Sequence, residues 1–513
     1  MNKTKHKMTW KAFHKWGGLV MTVFILLFCV SGIVLNHREL VSSCSVGRSP
    51  LPPGYHIENY NNGVIKGTLP LPDGRVIAYG SGIWLTDRRF SGFRDFNSGL
   101  PEGPDRRTVR NMARSADGTL WCAAQYGVYR LVGSRWQEVP LPGNDERISD
   151  IALDEKDRPV VMTRSLLYTL YEGRPGKIML DTPEGYENRV SLFKTVWHLH
   201  SGELFGMTGR IVVDLVALVI IFLCVTGIIL FILPYSIRKS LSSKVKGKAA
   251  AMKWNFRWHS RIGYFTIILT LLIAVTGACL RPPLMIPLVM GKTAPIPGSD
   301  LDSDNPWHDR LRAIRWDAVY GNWLISTSEG FFHVDRDFAT APVPVKGVTP
   351  PVSPMGITVF EPQSDGKWLI GSFSGLFLWD PASGSVSDYI TGKPWKPQKG
   401  GRPIASDLVS GFSRDLAPSD VVFDYSKGAV VIRKASERQR LAPQPKVIED
   451  QPMSLWNFAL ELHVGRCYSP FLGPVSDLFV FLAGTLLTLI LMSGLIVHNR
   501  IGRRRRRVMP PDR

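Results

Sequence analysis

The chain has 513 residues, 44% of them hydrophobic, and a formal charge of +19 from 62 Lys/Arg against 43 Asp/Glu. The excess is not spread out: residues 1–16 carry five Lys and no acid, 235–261 carry eight Lys/Arg and no acid, and 498–513 carry seven Arg and one Asp, which together make up the whole +19. Charge confined to the flanks of long apolar stretches is topological, which excludes a nucleic-acid binder, a disordered chain and a soluble enzyme.

The first apolar run, Gly17–Asn36, follows the first Lys-rich segment. It is long for a signal peptide and no clear small-x-small cleavage site follows, so it is read as an uncleaved span. Further runs cover about Leu204–Leu233, Ile262–Leu280 and about Val475–Val497. Each is long enough for a helix to cross about 30 Å of hydrocarbon. The positive-inside rule then places both termini in the cytoplasm and two large segments outside. The expected fold class is a membrane α-helical bundle of four transmembrane helices, a duplicated hairpin, with an all-β periplasmic domain of propeller-like character in a bacterial inner membrane. The expected boundaries are 1–37 for the cytoplasmic N-terminus and first helix, 38–198 for the first periplasmic β region and 199–235 for the second helix. A basic cytoplasmic loop follows at 236–257, then the third helix at 258–280, the second β region at 281–455, the fourth helix at 456–498 and an Arg-rich tail at 499–513. The Arg503–Arg507 run reads as an anchor against anionic lipid.

Both outside segments carry a recurring unit: a turn such as Asp73-Gly74, Asp117-Gly118 or Asp365-Gly366, a strand, a small residue and an aromatic strand. Examples are Arg75–Leu85, Thr119–Tyr129, Pro159–Tyr168, Asn322–Phe332 and Lys367–Leu378, with a weaker copy near Val421–Ile432. A period of about 40–50 residues is that of a four-stranded propeller blade, and three units per segment predict six blades shared between the two. Of six cysteines, Cys29, Cys224 and Cys279 lie in apolar runs, while Cys44 and Cys467 lie close to the membrane and are candidates for a bridge.

The membrane part repeats itself. At an offset of about 245 residues, Phe13-His14-Lys15-Trp16-Gly17-Gly18 lies over Trp258-His259-Ser260-Arg261-Ile262-Gly263, and Ser31-Gly32 over Thr276-Gly277. Leu199-His200-Ser201-Gly202 matches Leu462-His463-Val464-Gly465, Asp214 matches Asp477, and Thr226-Gly227 corresponds to Ser493-Gly494 after four extra residues. Both copies enter from the same side, so a pseudo-twofold axis along the membrane normal is expected, with the small residues serving close helix contact.

No metal-ligand cluster, nucleophile elbow, phosphate loop or dinucleotide fingerprint is present; what remains is histidine at the membrane boundaries. The repeat pairs His14 with His259 and His200 with His463. Histidine is a common axial ligand of haem iron, so the expectation is two bis-His haems b, one at each side of the bilayer, with iron as the metal. His37 and His498 are rival ligands without a histidine at the equivalent position, and His198 is a spare. His200 lies about eleven residues before the densest apolar run at Ile211, roughly 16 Å along a helix: if the membrane slab starts there the two sites are too far apart for fast direct tunnelling, and if it starts at Leu204 the outer site lies at the interface. Asp214 and Asp477, inside apolar runs, are expected to face the interior, in proton handling, in a hydrogen bond to a buried partner or in helix pairing.

The stretches FHKWGGLVMTVFILLFCVSGIVLNHREL and LHSGELFGMTGRIVVDLVALVIIFLCVTGIILF resemble the PepSY-associated transmembrane helix family of bacterial inner-membrane proteins. The resemblance covers the membrane part, about a third of the chain. It implies a reductase that passes electrons through two b-type haems to periplasmic ferric siderophores or other iron compounds, fed by a cytoplasmic or quinol donor, with the family's histidines falling on His14, His200, His259 and His463. No PepSY-like α/β segment is found, and the propeller-like repeats stand in its place. The other reading is a haem-free membrane protein whose propeller binds a ligand or partner as a sensory or uptake accessory.

Overall fold

The computed structural model describes residues 9–144, 146–171, 174–240, 242–352, 354–397, 408–417, 419–432 and 441–508. The Lys-bearing residues 1–8, the end of the tail and the side chains of Arg503–Arg507 lie outside the described residues. The chain divides into two units, one of Met1–Val41, Asn188–Ser303 and Trp456–Arg513, the other of Ser42–Glu187 and Asp304–Leu455.

The first unit is helical. Helix α1 (Trp10–Asn36) starts where the Thr9 hydroxyl accepts the Ala12 N–H at 3.2 Å, a side-chain cap for a donor that has no partner within the helix. Helix α2 (Leu192–Ser201) stops at Gly202, whose φ of +82° suits a residue without Cβ. Then come α3 (Gly206–Arg238), α4 (Ser242–Phe265), α5 (Ile267–Cys279) and the short α6 (Met285–Met290). After the short α7 (Lys446–Glu449), which belongs to the other unit, follow α8 (Leu455–His463), α9 (Ser469–Leu472) and α10 (Ser476–Val508).

Among the described residues, three stretches are long and apolar enough to cross a membrane: Trp10–Asn36, Glu203–Arg238 and Arg466–Ile501. The third apolar run departs from expectation. It is not one rod from Ile262 to Leu280; α4 and α5 meet at Thr266 with a bend of 67°, and make a further span only if the pair is counted as one. At the bend the Thr266 hydroxyl donates to the Ile262 carbonyl at 2.8 Å, the back-bonding by which Ser and Thr bend helices. Large aliphatic side chains such as Val20, Val23, Leu215, Leu218, Ile268 and Leu482 are exposed, while Met21, Ile25, Val216, Ile220, Ala483 and Ile490 form a buried core. Side chains of this kind facing outward on long apolar helices require lipid as solvent. Helix α1 packs on α3 and α10, α5 on α10, and α4 on α3.

Among the described residues, the second unit is built of six antiparallel sheets of three or four strands, three from each segment of chain, besides a two-stranded pairing of Ser45–Val46 with Met453–Ser454. Their first strands are Ile65–Pro70, Val109–Arg114, Ile148–Leu153, Leu311–Asp317, Val359–Pro362 and Val409–Ser413. Five sheets have four strands in sequence order, and the sixth has three. The six units expected from the repeat fall on the second and third strands of these sheets. The turn residues act as their types dictate: Gly74 and Gly118 take φ of +83° and +87°, and the Asp73 and Asp117 carboxylates accept the N–H groups of Arg75 and Thr119 at 3.0 and 2.9 Å.

Each sheet shares a dry core with the next. Ile77 and Ile83 meet Val109 and Met112 between the first two, and the series continues around to Val359, Leu369, Val409 and Val422 between the last two. Ile65 and Trp84 of the first sheet in turn pack with Val421 and Phe423 of the sixth. At that joint the backbones come so close that a Cβ on Gly411 would lie 2.2 Å from the Lys66 carbonyl oxygen. The arrangement is propeller-like, with the first strand of every sheet on the inside. No disulfide is present among the described residues.

Candidate functional site

The rings of His14 on α1 and His259 on α4 lie 6.1 Å apart between centroids, at 70° between planes. His200 on α2 and His463 at the end of α8 lie 6.1 Å apart at 53°. All four are partly buried within the helical unit.

Each ring is held in the same way. The Nδ1 of His14 lies 3.0 Å from the Ile490 carbonyl and 3.2 Å from the Ser493 hydroxyl. That of His463 lies 3.1 Å from the Phe28 carbonyl and 3.0 Å from the Ser31 hydroxyl. That of His200 lies 3.1 Å from the Ile273 carbonyl and 3.2 Å from the Thr276 hydroxyl, and that of His259 lies 2.8 Å from the Thr226 hydroxyl. A carbonyl can only accept, so Nδ1 of His14, His200 and His463 carries the proton and Nε2 presents its lone pair. Among the described residues no protein group hydrogen-bonds the Nε2 of these four. The glycine after each hydroxyl residue leaves room for the ring. A Cβ on Gly277 would meet His200 Cε1 at 2.8 Å, on Gly494 His14 Cε1 at 2.9 Å, on Gly32 His463 Cε1 at 3.3 Å, and on Gly227 His259 Cε1 at 3.7 Å.

These hydroxyl-glycine pairs are the four that the duplication aligns. Sequence reasoning assigned them to helix contact and missed that they are sockets for the rings. The signal was available, because His14 to Ser31 and His259 to Thr276 keep one spacing. Every socket lies in the opposite copy from the ring it holds: His14 sits on α10, His259 on α3, His200 on α5 and His463 on α1.

Helices α2 and α3 are not one rod. The chain breaks at Gly202 and Gly206, and Gly202 and Gly209 come so close that a Cβ on either would meet the other's carbonyl oxygen at 2.3 or 2.1 Å. Helix α2 is thereby free to pack against α5. Gly465, with φ of +84°, ends α8 in the same way.

The remaining expected residues are engaged elsewhere. His37 Nε2 pairs with Asp214 Oδ2 at 2.6 Å, and Asn36 donates to Asp214 Oδ1 at 3.1 Å, so Asp214 ties α1 to α3. Asp477 lies in the first turn of α10, where a carboxylate complements the helix dipole. His498 Nδ1 lies 2.8 Å from the Ser260 hydroxyl, and its ring stacks on Tyr264 at 4.4 Å. His198 is buried, 3.7 Å from Asp300 and 3.9 Å from Glu203.

The donor set fits haem: in each pair two imidazoles with engaged Nδ1 atoms leave their Nε2 lone pairs for a metal that brings further donors of its own, and their ring centroids stand 6.1 Å apart.

Comparison with known proteins gives a family and distant fold neighbours. The family model described as the PepSY-associated TM region matches residues 1–234 and 176–308. No curated protein matches the chain. Among solved structures, the extracellular domain of a putative one-component system from B. thetaiotaomicron is 11% identical, covering 72% of this chain and 33% of that one at a TM-score of 0.37. Virginiamycin B lyase from Staphylococcus aureus is 9% identical, covering 76% and 86% at a TM-score of 0.34. The chain thus spans about a third of the first of these structures. With the family model reaching over more than half of its length, this membrane protein belongs to the PepSY-associated TM region family.

Proposed function

We propose that the chain is a bacterial inner-membrane b-type haem protein that passes electrons across the bilayer to a periplasmic acceptor of the ferric-chelate class, such as a ferric siderophore. In this reading four spans place both termini in the cytoplasm, and the six sheets form a six-bladed periplasmic propeller. His14 and His259 hold the inner haem, His200 and His463 the outer, and a cytoplasmic or quinol-level donor supplies the electrons. The observation that carries the reading is the pair of 6.1 Å imidazole couples with Nδ1 tied down.

Bound there, haem would supply a one-electron carrier at each side. The protein's part is to fix and tune it. The carbonyl and hydroxyl acceptors on Nδ1 set the tautomer, orient each ring and make it a better donor to a metal. Along α1 the two pairs are separated by about 17 residues, or about 25 Å. The space between is filled by Met21, Ile25, Cys29, Val216 and Ile220, a dry core that keeps water out of the path.

The test is the pyridine haemochrome of the purified full chain, expressed with haem available. Two haems per chain are expected, lost in His259→Ala with His463→Ala and kept in His37→Ala. A colourless wild type would favour the haem-free accessory reading, and haem retained in the double variant would overturn the ligand assignment.

A further inference from the structure

A second site lies wholly inside the β unit, and its case is independent of haem. In five of the six sheets the first strand slips register at the same place. The slips fall between Ile65 and Gly67, Val109 and Asn111, Ile148 and Asp150, Leu311 and Ala313, and Val409 and Gly411. The extra residues are Lys66, Arg110, Ser149, Arg312 and Ser410. A β-bulge re-aims one side chain out of the alternation of its strand. All five line one cavity of about 130 Å³ at the centre of the ring of sheets. Arg147, Arg164 and Arg315 join them, so that among the described residues the lining holds six cations and a single carboxylate, Asp150.

That carboxylate is spoken for. Asp150 Oδ2 accepts from Arg315 Nη1 at 2.6 Å and from the Ile314 N–H at 2.9 Å. Arg164 pairs with Asp309 at 2.8 Å. Arg312 is anchored by the carbonyls of Pro354, Leu311 and Asp309 at 2.7, 2.8 and 2.9 Å. Burial, with the charges of Arg164 and Arg147, brings its guanidinium down to about 9. An arginine has five N–H donors in a rigid fork, so anchoring it to carbonyls is compatible with its holding a ligand. A concave wall lined by one sign of charge focuses the field and concentrates counter-ions.

We propose that this cavity binds a compact polyvalent oxyanion, of the phosphate or small di- and tricarboxylate class, held by Lys66, Arg110, Arg147 and Arg312. The volume of about 130 Å³ admits such an anion. Multiple charge matches the lining, and guanidinium and ammonium groups are the donors that oxyanions take.

Titration calorimetry of the full chain in detergent tests this with inorganic phosphate, citrate and acetate at low and high salt. Phosphate or citrate is expected to bind about tenfold or more tighter than acetate, and to weaken as salt rises. Whichever of the two binds tighter identifies the source of the anion. Arg110→Gln with Arg147→Gln is expected to weaken binding about tenfold or more, while Lys66→Arg keeps it. A thermal melt verifies folding, and Lys66→Gln takes the place of the double variant if that fails to fold. Neither phosphate nor citrate exceeding acetate, or a folded charge-removing variant that binds as the wild type does, overturns the proposal.

Discussion

The four sockets differ by small distances, and those distances predict a graded response to one added methyl group. In Gly277→Ala the new Cβ would lie 2.8 Å from His200 Cε1 and 3.4 Å from Nδ1. To restore ordinary contact the ring must retreat by about 0.6 Å or more. Its Nδ1 contacts, 3.1 Å to Ile273 and 3.2 Å to Thr276, then stretch past hydrogen-bonding range. Two such bonds are worth about 1–3 kcal/mol, or about 5- to 150-fold in the affinity of whatever the ring holds. Gly494→Ala, at 2.9 Å from His14, should act alike; Gly32→Ala at 3.3 Å should act weakly, and Gly227→Ala at 3.7 Å hardly at all. Alanine is also the better helix former by about 1 kcal/mol, so the helices themselves should not lose stability. The assay is haem per chain at limiting haem, with an optical redox titration and a melt of the haem-free protein. Equal losses from all four variants, or a larger loss from Gly227→Ala than from Gly277→Ala, would refute the reasoning.

Two further outcomes concern the β unit. Gly411→Ala forces a Cβ against the Lys66 backbone where the sixth sheet meets the first; overpacking of about 1–3 kcal/mol should lower Tm by about 2–4 °C per kcal/mol, whereas Gly92→Ala, with open space around it, should not. A calorimetric Tm unchanged by Gly411→Ala would deny that joint. Glu361 lines a second cavity, of about 410 Å³, with Arg315 and Arg414. Burial holds its carboxyl above the ordinary 4.5 against the pull of those two cations, so the folded state keeps the proton longer and stability falls as pH rises from 4.5 through the raised value. Glu361→Gln should therefore raise Tm at neutral pH and change it little below that window. A variant less stable at neutral pH than at acid pH, relative to wild type, would contradict the sign.

The pairing of the histidines and the number of sheets were legible because both are written in repeats. A residue that recurs at one offset in two copies must find its equivalent across the symmetry axis, whatever the details of packing. The bend at Thr266 and the break at Gly202 were not legible. Hydropathy registers neither, since an apolar run reads the same whether its helix is straight, bent or interrupted. The sockets were half visible: the spacing of Ser31-Gly32 and Thr276-Gly277 from their histidines was plain, but small residues also serve helix contact, and only coordinates show a ring in the gap. The basic cavity was hidden by the charge arithmetic itself. The outside segments sum to neutral, and a sum says nothing about Lys66, Arg110 and Arg312 arriving on one wall from strands far apart in the chain.

The crosswise seating of rings has a consequence for how the molecule holds together. Contacts in which one copy gives what the other receives, and the reverse, are those of an isologous twofold dimer. Half of this chain carries both complementary parts, yet cannot complete either imidazole couple by itself. Joining the halves through the basic loop turns an association that would depend on dilution into a tethered one, at an effective concentration on the order of millimolar. Both couples thus survive in a sparsely populated membrane, where separate halves would drift apart.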